Sequence, residues 1–447
     1  MRNGFRALAV AMLAGAALLA PAAQTATRDT IPPRRYLSPN GQDVDEFLVA
    51  GNDRGDQAAL WRAHDGRLRV RSRRHGRPFG RARTLTRKGA TAFSSAVDVG
   101  PDGTEMAAWV RSRRGGIVLE AAARRRGGSF TQPKVLDRRP RFLEEVRVAV
   151  GSDGGAVVVW TEELGRSREA LRAAVRSPRG TWSRPESVTT SRSVKLSLNV
   201  AVDRDGNATL AWEGGGVVRR AIRPAGGRFG RPRAVSIGRR LAVDPVLAEN
   251  ARGDAVVLWR QTVDDEHERV AYAFRRAGRD FGPSHPLTPQ LVFSQIGGAG
   301  VDPEGNVVAL WSRFPSGKEA RCFCLNVMAA RRTVGGEFEH PRRLANDAAG
   351  FATPSTSADR NGDVFAAWPV DTERNENFVT QAQGRLVSAD GRLGPKRRFS
   401  RRQHMYGDPE ALLARGGRAL VAWIARSNRH DRLAAARGRV ESPRIEP

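Results

Sequence analysis

Two short segments carry the residue types from which catalysis or recognition is usually built. Arg402-Gln403-His404-Met405-Tyr406-Gly407-Asp408 brings a cation, an imidazole, a phenol and a carboxylate close together, with Glu410 just beyond. Asp264-Asp265-Glu266-His267-Glu268 is acidic around one imidazole. Cleaving a glycosidic bond takes paired carboxylates, or a tyrosine assisted by a glutamate with arginines on the substrate carboxylate. Tyr406 and Glu410 supply part of such a set, and nothing in the sequence places the remaining members. Arg402, His404, Tyr406, Asp408, Asp265 and His267 are therefore the candidate ligand-binding residues, and no catalytic residue is assigned.

Other chemistries find less support. The seven histidines show no H-E-x-x-H spacing, and neither G-x-S-x-G nor a phosphate-cradling glycine loop occurs. The turns from Asp203 to Asn207 and from Asp359 to Asp363 are similar to calcium loops but lack the distal bidentate glutamate. Hairpin turns use the same residues. Cys322 and Cys324 sit two apart on an expected strand, where they share a face. Two thiolates do not make a structural zinc site; in an oxidising compartment the pair is either joined or buried and free. No cofactor and no metal are expected.

These segments need a scaffold, and tryptophan placement identifies it. Trp61, Trp109, Trp160, Trp212, Trp259, Trp311, Trp368 and Trp423 each end the same phrase, at spacings of 48, 51, 52, 47, 52, 57 and 55 residues. Six positions before each stands a glycine: Gly55, Gly103, Gly154, Gly206, Gly253, Gly305, Gly362 and Gly417. The phrase, as in VAVDRDGNATLAW ending at Trp212, reads as a β-hairpin whose glycine supplies the positive φ of a tight reversal. Runs such as Ala156-Val157-Val158-Val159-Trp160 are apolar at every position, which suits strands covered on both faces. A polar loop, a third strand and a proline-bearing fourth phrase follow, proline being suited to an outermost strand.

Four strands per unit of about 50 residues, repeated in tandem, is a β-propeller. The eighth unit lacks a fourth phrase, whereas Pro33-Arg34-Arg35-Tyr36-Leu37-Ser38 precedes the first hairpin as an orphan. The expected fold is thus all-β: a single eight-bladed propeller of four-stranded antiparallel blades, closed by the N-terminal strand joining the last blade. The tryptophans are expected to be structural wedges between blades.

The amino terminus reads as an export signal. Arg2 and Arg6 precede an uncharged apolar run over residues 7–20, and Ala20-Pro21-Ala22 offers a cleavage site. The run is too short to span a membrane. The expected division is a signal peptide over 1–26 and the propeller over 27–447, giving a secreted, monomeric protein at or beyond the cell surface with no transmembrane segment.

Charge bears on partners. The chain has 447 residues and a net charge of +28, and all but five of its 75 basic residues are arginine. Arg74, Arg124, Arg176, Arg223, Arg276, Arg332 and Arg437 recur near the ends of third strands and would place a basic ring on one rim. Such a ring attracts polyanions without selecting among them, and solvated turns of an arginine-rich sequence are the plainer reading of the same residues. No recognition helix, aromatic platform or zinc-finger spacing points to specific nucleic-acid readout.

The D-x-x-G-x-x-x-x-A-W hairpin and F-x-x-P-x-x-L-S strand resemble the repeats of secreted bacterial β-propeller proteins, loosely called sialidase-like. Sialidase Asp boxes place tryptophan five residues after the aspartate; here Asp205 and Trp212 are seven apart, so the box is absent. The docking motif of eight-bladed quinoprotein dehydrogenases also fails, because its glycine-to-tryptophan interval is four and here it is six. The resemblance implies a scaffold. On this reading the protein is a binding or scaffolding module for acidic glycans, cell-wall polymers or other proteins. The alternative is a sialidase-like glycan-active enzyme with its site on the variable loop face.

Overall fold

A computed structural model describes residues 34–441, apart from 88, 114–115, 140–142, 166–167, 192–196, 239, 316–323, 351, 375–376 and 427–429. The expected 1–26 leader and Cys322 lie outside the described residues. Cys324 is disulfide-bonded. Among the described residues no helix is long and apolar enough to cross a membrane.

The hairpin phrase folds as its chemistry requires. In the first copy the Gly55 N–H donates to the Asn52 carbonyl at 2.8 Å, and the Asn52 N–H donates to the Asp56 carbonyl at 3.0 Å. Gly55 takes φ +88°, the left-handed conformation that a side chain would oppose. The strand that follows, Gln57–Ala63, is buried at almost every position. In the Asp203 copy the aspartate accepts the Asp205 and Asn207 N–H groups, both at 2.9 Å. The carboxylate that looked suited to calcium is thus engaged in shaping its own turn.

Eight such units form eight four-stranded antiparallel sheets. Blade 1 is Val44–Gly51, Gln57–Ala63, Leu68–Arg73 and Arg83–Thr84. Blade 2 is Thr91–Val99, Glu105–Arg113, Gly116–Arg124 and Lys134–Arg139. Blades 3 to 7 occupy 143–191, 199–234, 242–286, 294–349 and 355–398. Blade 8 takes Met405–Ala414, Arg418–Ala425 and Arg432–Arg439 from the carboxyl end and Arg35–Tyr36 from the amino end, with Arg35 opposite Ala435 and Tyr36 opposite Ala434. First strands of successive blades touch around a full circle, blade 8 returning to blade 1. The ring is closed by the N-terminal strand.

Its core lies between blades rather than within them. Each tryptophan sits in a different apolar cluster shared with the preceding blade. Trp109 packs with Leu60, Leu68 and Val70 of blade 1, and Trp61 with Leu420, Ile424 and Leu433 of blade 8. None of the eight is more than 1% exposed.

First strands have an inner edge with no strand beside it, so their N–H groups need other acceptors. Side chains of the neighbouring blade supply several. Asp98 accepts the Val150 N–H and Glu410 that of Val49, both at 2.7 Å, and just ahead of blade 4's first strand Glu145 accepts that of Ser197 at 2.8 Å. Ser355 and Ser357 take the Ala411 and Leu413 N–H groups, each at 2.9 Å. These bonds stitch blade to blade around the axis.

Candidate functional site

Antiparallel alternation divides the connections between two ends of the ring. The glycine hairpins and the turns joining third to fourth strands lie at one end. The loops after each tryptophan strand and the blade-to-blade connections lie at the other. All six residues singled out from the sequence fall at the second end, in two separate blades.

His267 Nδ1 is 2.7 Å from Asp264 Oδ1 in the blade 5 loop, and this bond holds the Asp264 carboxyl below its ordinary range. Asp265 beside it is exposed. Arg402 and His404 are exposed in the connection leading into blade 8, where the His404 carbonyl accepts the Arg426 N–H. Tyr406 enters the first strand of blade 8 opposite Ile424, and a bulge separates it from Glu410. Asp408, in that bulge, accepts the Thr353 N–H at 3.3 Å; desolvation raises its pKa, with the Asp371 charge adding to the effect. Glu410 is pushed up to about 7 by burial and serves as the acceptor for Val49. Among the described residues no hydrogen bond or ion pair joins the blade 5 group to the blade 8 group.

A polar arc missed in the sequence crosses the same end. Ser197 and Asp244 are the two described non-glycine residues at positive φ, +96° and +52°, and the Ser197 hydroxyl reaches Asp244 at 3.4 Å. Asp244 pairs with Arg260, Arg260 with Glu268 at 3.0 Å, and Glu268 accepts the Ser294 hydroxyl at 2.7 Å. Each carboxylate in this arc already has a cation or a donor, so the arc satisfies itself.

The arginines behave differently from a basic rim. Pairing sets Arg73, Arg124, Arg176, Arg223 and Arg275 at one register of their blades, each at the end of a third strand opposite the start of a second. Most fold inward. Arg73 reaches the Gly55 carbonyl, Arg176 that of Gly154 and Arg275 that of Gly253, so each clamps its own hairpin turn. Arg124 pairs with Glu105, and Arg276 with Asp254. Arg332 lies over the Phe274 ring at 4.6 Å. At these positions the expected ring of solvated charge is instead mostly a set of clamps, because a long side chain pointing along the blade meets carbonyls before it meets water.

One place does not neutralise itself. Where blade 8 meets blade 1, at the hairpin end, a cavity of about 530 Å³ is lined by Arg35, Arg71, Arg73, Arg418, Arg437 and Arg439, and no carboxylate lines it. Alternation along a strand explains the density: Arg71 and Arg73 share one face of their strand, as do Arg437 and Arg439. Tyr36, His75 and Phe79 lend ring edges, and Leu37 and Leu420 give an apolar floor. Tyr36 is itself held by cations, with the Arg432 guanidinium 3.7 Å from its ring centre.

One difference from the next groove lies opposite the last arginine of the third strand. Glu105 of blade 2 stands opposite Arg124 and bonds it together with Ser72 of blade 1. The equivalent residue opposite Arg73 is Gln57, which accepts Arg73 at 2.8 Å without neutralising it. Burial and the fields of Arg437 and Arg418 lower the Arg73 pKa to about 10. Burial, then Arg35, lowers that of Arg437. Among the described residues neither Arg35 nor Arg437 has a carboxylate partner. Four guanidinium groups thus face one another from three segments of chain.

Of this group the sequence had drawn attention only to Arg437, as part of a rim, and to Arg35, as part of a strand. The available signals were the Arg437-Gly438-Arg439 ending of the last blade and the neutral Gln57 in a position that is acidic one blade later.

No known protein family matches the chain, and no curated protein matches it. Among solved structures it is similar to the WD40 domain of SCAP from fission yeast, 12% identical across 91% of this chain and 94% of that one, with a TM-score of 0.50. It is also similar to the BP39L lectin from Burkholderia pseudomallei, at 12% identity, 80% and 100% coverage and a TM-score of 0.49. The β-propeller domain of the Trilobed protease from Pyrococcus furiosus gives 8%, 79% and 94%, and 0.46. These likenesses are of fold.

Proposed function

We propose that this protein is an exported binding module that takes anionic ligands, acidic glycans or cell-wall polymers foremost, in the arginine-lined pocket at the seam between blades 8 and 1. The observation that carries the reading is a cavity lined by six arginines and no carboxylate. Desolvated like charges raise the free energy of the empty pocket, and an anion lowers it. Guanidinium forks match carboxylate, sulfate and phosphate oxygens in pairs, which gives geometric selection as well as attraction. Export is supported by Arg2, Arg6, the apolar run over 7–20 and the small residues after it.

The test is titration with sulfated and uronate-bearing oligosaccharides by calorimetry. Arg437→Gln removes a charged hydrogen-bond donor, worth about 1.5–3 kcal/mol, so affinity is expected to fall roughly 10- to 100-fold. Arg402→Gln, at the opposite end of the ring, is expected to leave it unchanged. The reverse pattern would move the site to the loop end. Turnover of a fluorogenic sialoside that Tyr406→Phe abolishes would replace the reading with an enzymatic one.

A further inference from the structure

In the seam pocket the fourth-strand position is filled from the other end of the chain. Arg35, Tyr36 and Leu37 belong to the N-terminal strand, which is short and is paired to blade 8 at two positions. Beyond these, the Leu37 N–H donates to the Leu433 carbonyl at 2.8 Å. The strand therefore brings Arg35 into a groove where Arg437, Arg73 and Arg418 already stand, and like-charge repulsion opposes its docking. A monovalent anion would leave most of that repulsion in place. The volume, about 530 Å³, accommodates a compact group with several oxygens and part of what carries it.

We infer that a doubly charged tetrahedral oxyanion, a phosphate or sulfate ester group, seats among Arg35, Arg73 and Arg437 and latches the N-terminal strand onto the ring. This rests on the reading of the seam as the binding site and assigns it a ligand class and a consequence. Occupancy and closure are linked: the complete pocket exists only while the strand is docked, so the oxyanion binds the closed ring in preference to the open one. Linkage then makes opening rarer by a factor of one plus ligand concentration over Kd.

The experiment uses hydrogen exchange on the whole protein, with inorganic phosphate and inorganic sulfate as separate arms and sodium chloride at matched ionic strength as the reference. At ten times Kd, protection of the Leu37 and Ser38 amides is expected to rise roughly tenfold, while amides of Ala255–Thr262 in blade 5 stay unchanged. A gain in the phosphate arm alone selects a phosphate ester, and one in the sulfate arm alone a sulfate ester. Gln57→Glu supplies an internal anion like that of blade 2; it is expected to protect the same amides in chloride and to abolish the response to either oxyanion. If calorimetry shows binding that Arg437→Gln removes, yet Leu37 and Ser38 exchange as before, the latch is wrong and the binding site stands. If neither oxyanion nor any anionic oligosaccharide binds, both fall. A uniform rise in protection that includes blade 5 also overturns the latch.

Discussion

Glu410 shows how one side chain can serve an architecture at a cost that depends on pH. It accepts the Val49 N–H across the blade boundary, while burial lifts its pKa to about 7. Glu249, lifted to about 7 by burial despite Arg275, and Asp98, lifted to about 6 by burial, act in the same sense. A carboxyl raised above its unfolded value makes the folded state bind more protons, so its contribution is fully present below the unfolded pKa and is lost as pH rises through the folded one. Thermal stability is therefore expected to fall between pH 5 and pH 8. Glu410→Gln keeps an acceptor for Val49 without the charge; its Tm is expected to exceed wild type by about 1–3 °C at pH 8 and to match it near pH 5. A differential-scanning series across that range checks the sign. The tryptophans are simpler. The Nε1 atoms of Trp61, Trp160, Trp311, Trp368 and Trp423 are buried without a hydrogen-bond partner, so what these residues contribute is shape and apolar area.

At the scale of strands, the one that decides closure is also among the shortest. Removing residues through Ser38 exposes Leu433 and leaves an unpaired edge on the last blade. Burial of Leu37 alone contributes about 1.5–3 kcal/mol, so the truncated protein is expected to melt at least roughly 3 °C lower. An unchanged Tm would show that this strand does not hold the ring. The strand was legible beforehand because its composition matches the ends of other fourth strands and because the eighth unit lacked one. The hairpins were legible too, since glycine at positive φ and a buried aromatic leave a signal at fixed spacing. The seam pocket was not. Its arginines come from residues 35, 71, 73, 418, 437 and 439, and only the register that sets Gln57 opposite Arg73 and Leu420 opposite Arg437 brings them together. Local pattern reports which face a side chain takes, not which distant face it meets. The loop residues around Tyr406 and Asp265 drew attention through chemical variety alone, and the fold puts them in different blades.

For the molecule as a whole, a net charge of +28 predicts attraction to any polyanion, which would hide a specific site in a simple retention assay. Salt separates the two. Binding spread over a basic surface releases many counterions, with slopes of log K on log salt as steep as about −10 for large interfaces. An occupant of the seam carrying two or three charges is expected to give a slope of about −2 to −3 by the same rule. Calorimetric titration of a sulfated disaccharide at four salt concentrations measures it together with the stoichiometry, and many equivalent sites per protein, untouched by Arg437→Gln, would assign the binding to the general field.

The pairing of Arg35 with Ala435 has a temporal side. Ribosomes add about 5–20 residues each second, so roughly 20–80 s separate the synthesis of these two partners. Throughout that interval the earliest-made blade has no neighbour on one flank, and its apolar surface waits. A nascent chain of this design cannot close its ring until the strand Arg432–Arg439 has been made, so its first blade spends that time with one flank uncovered.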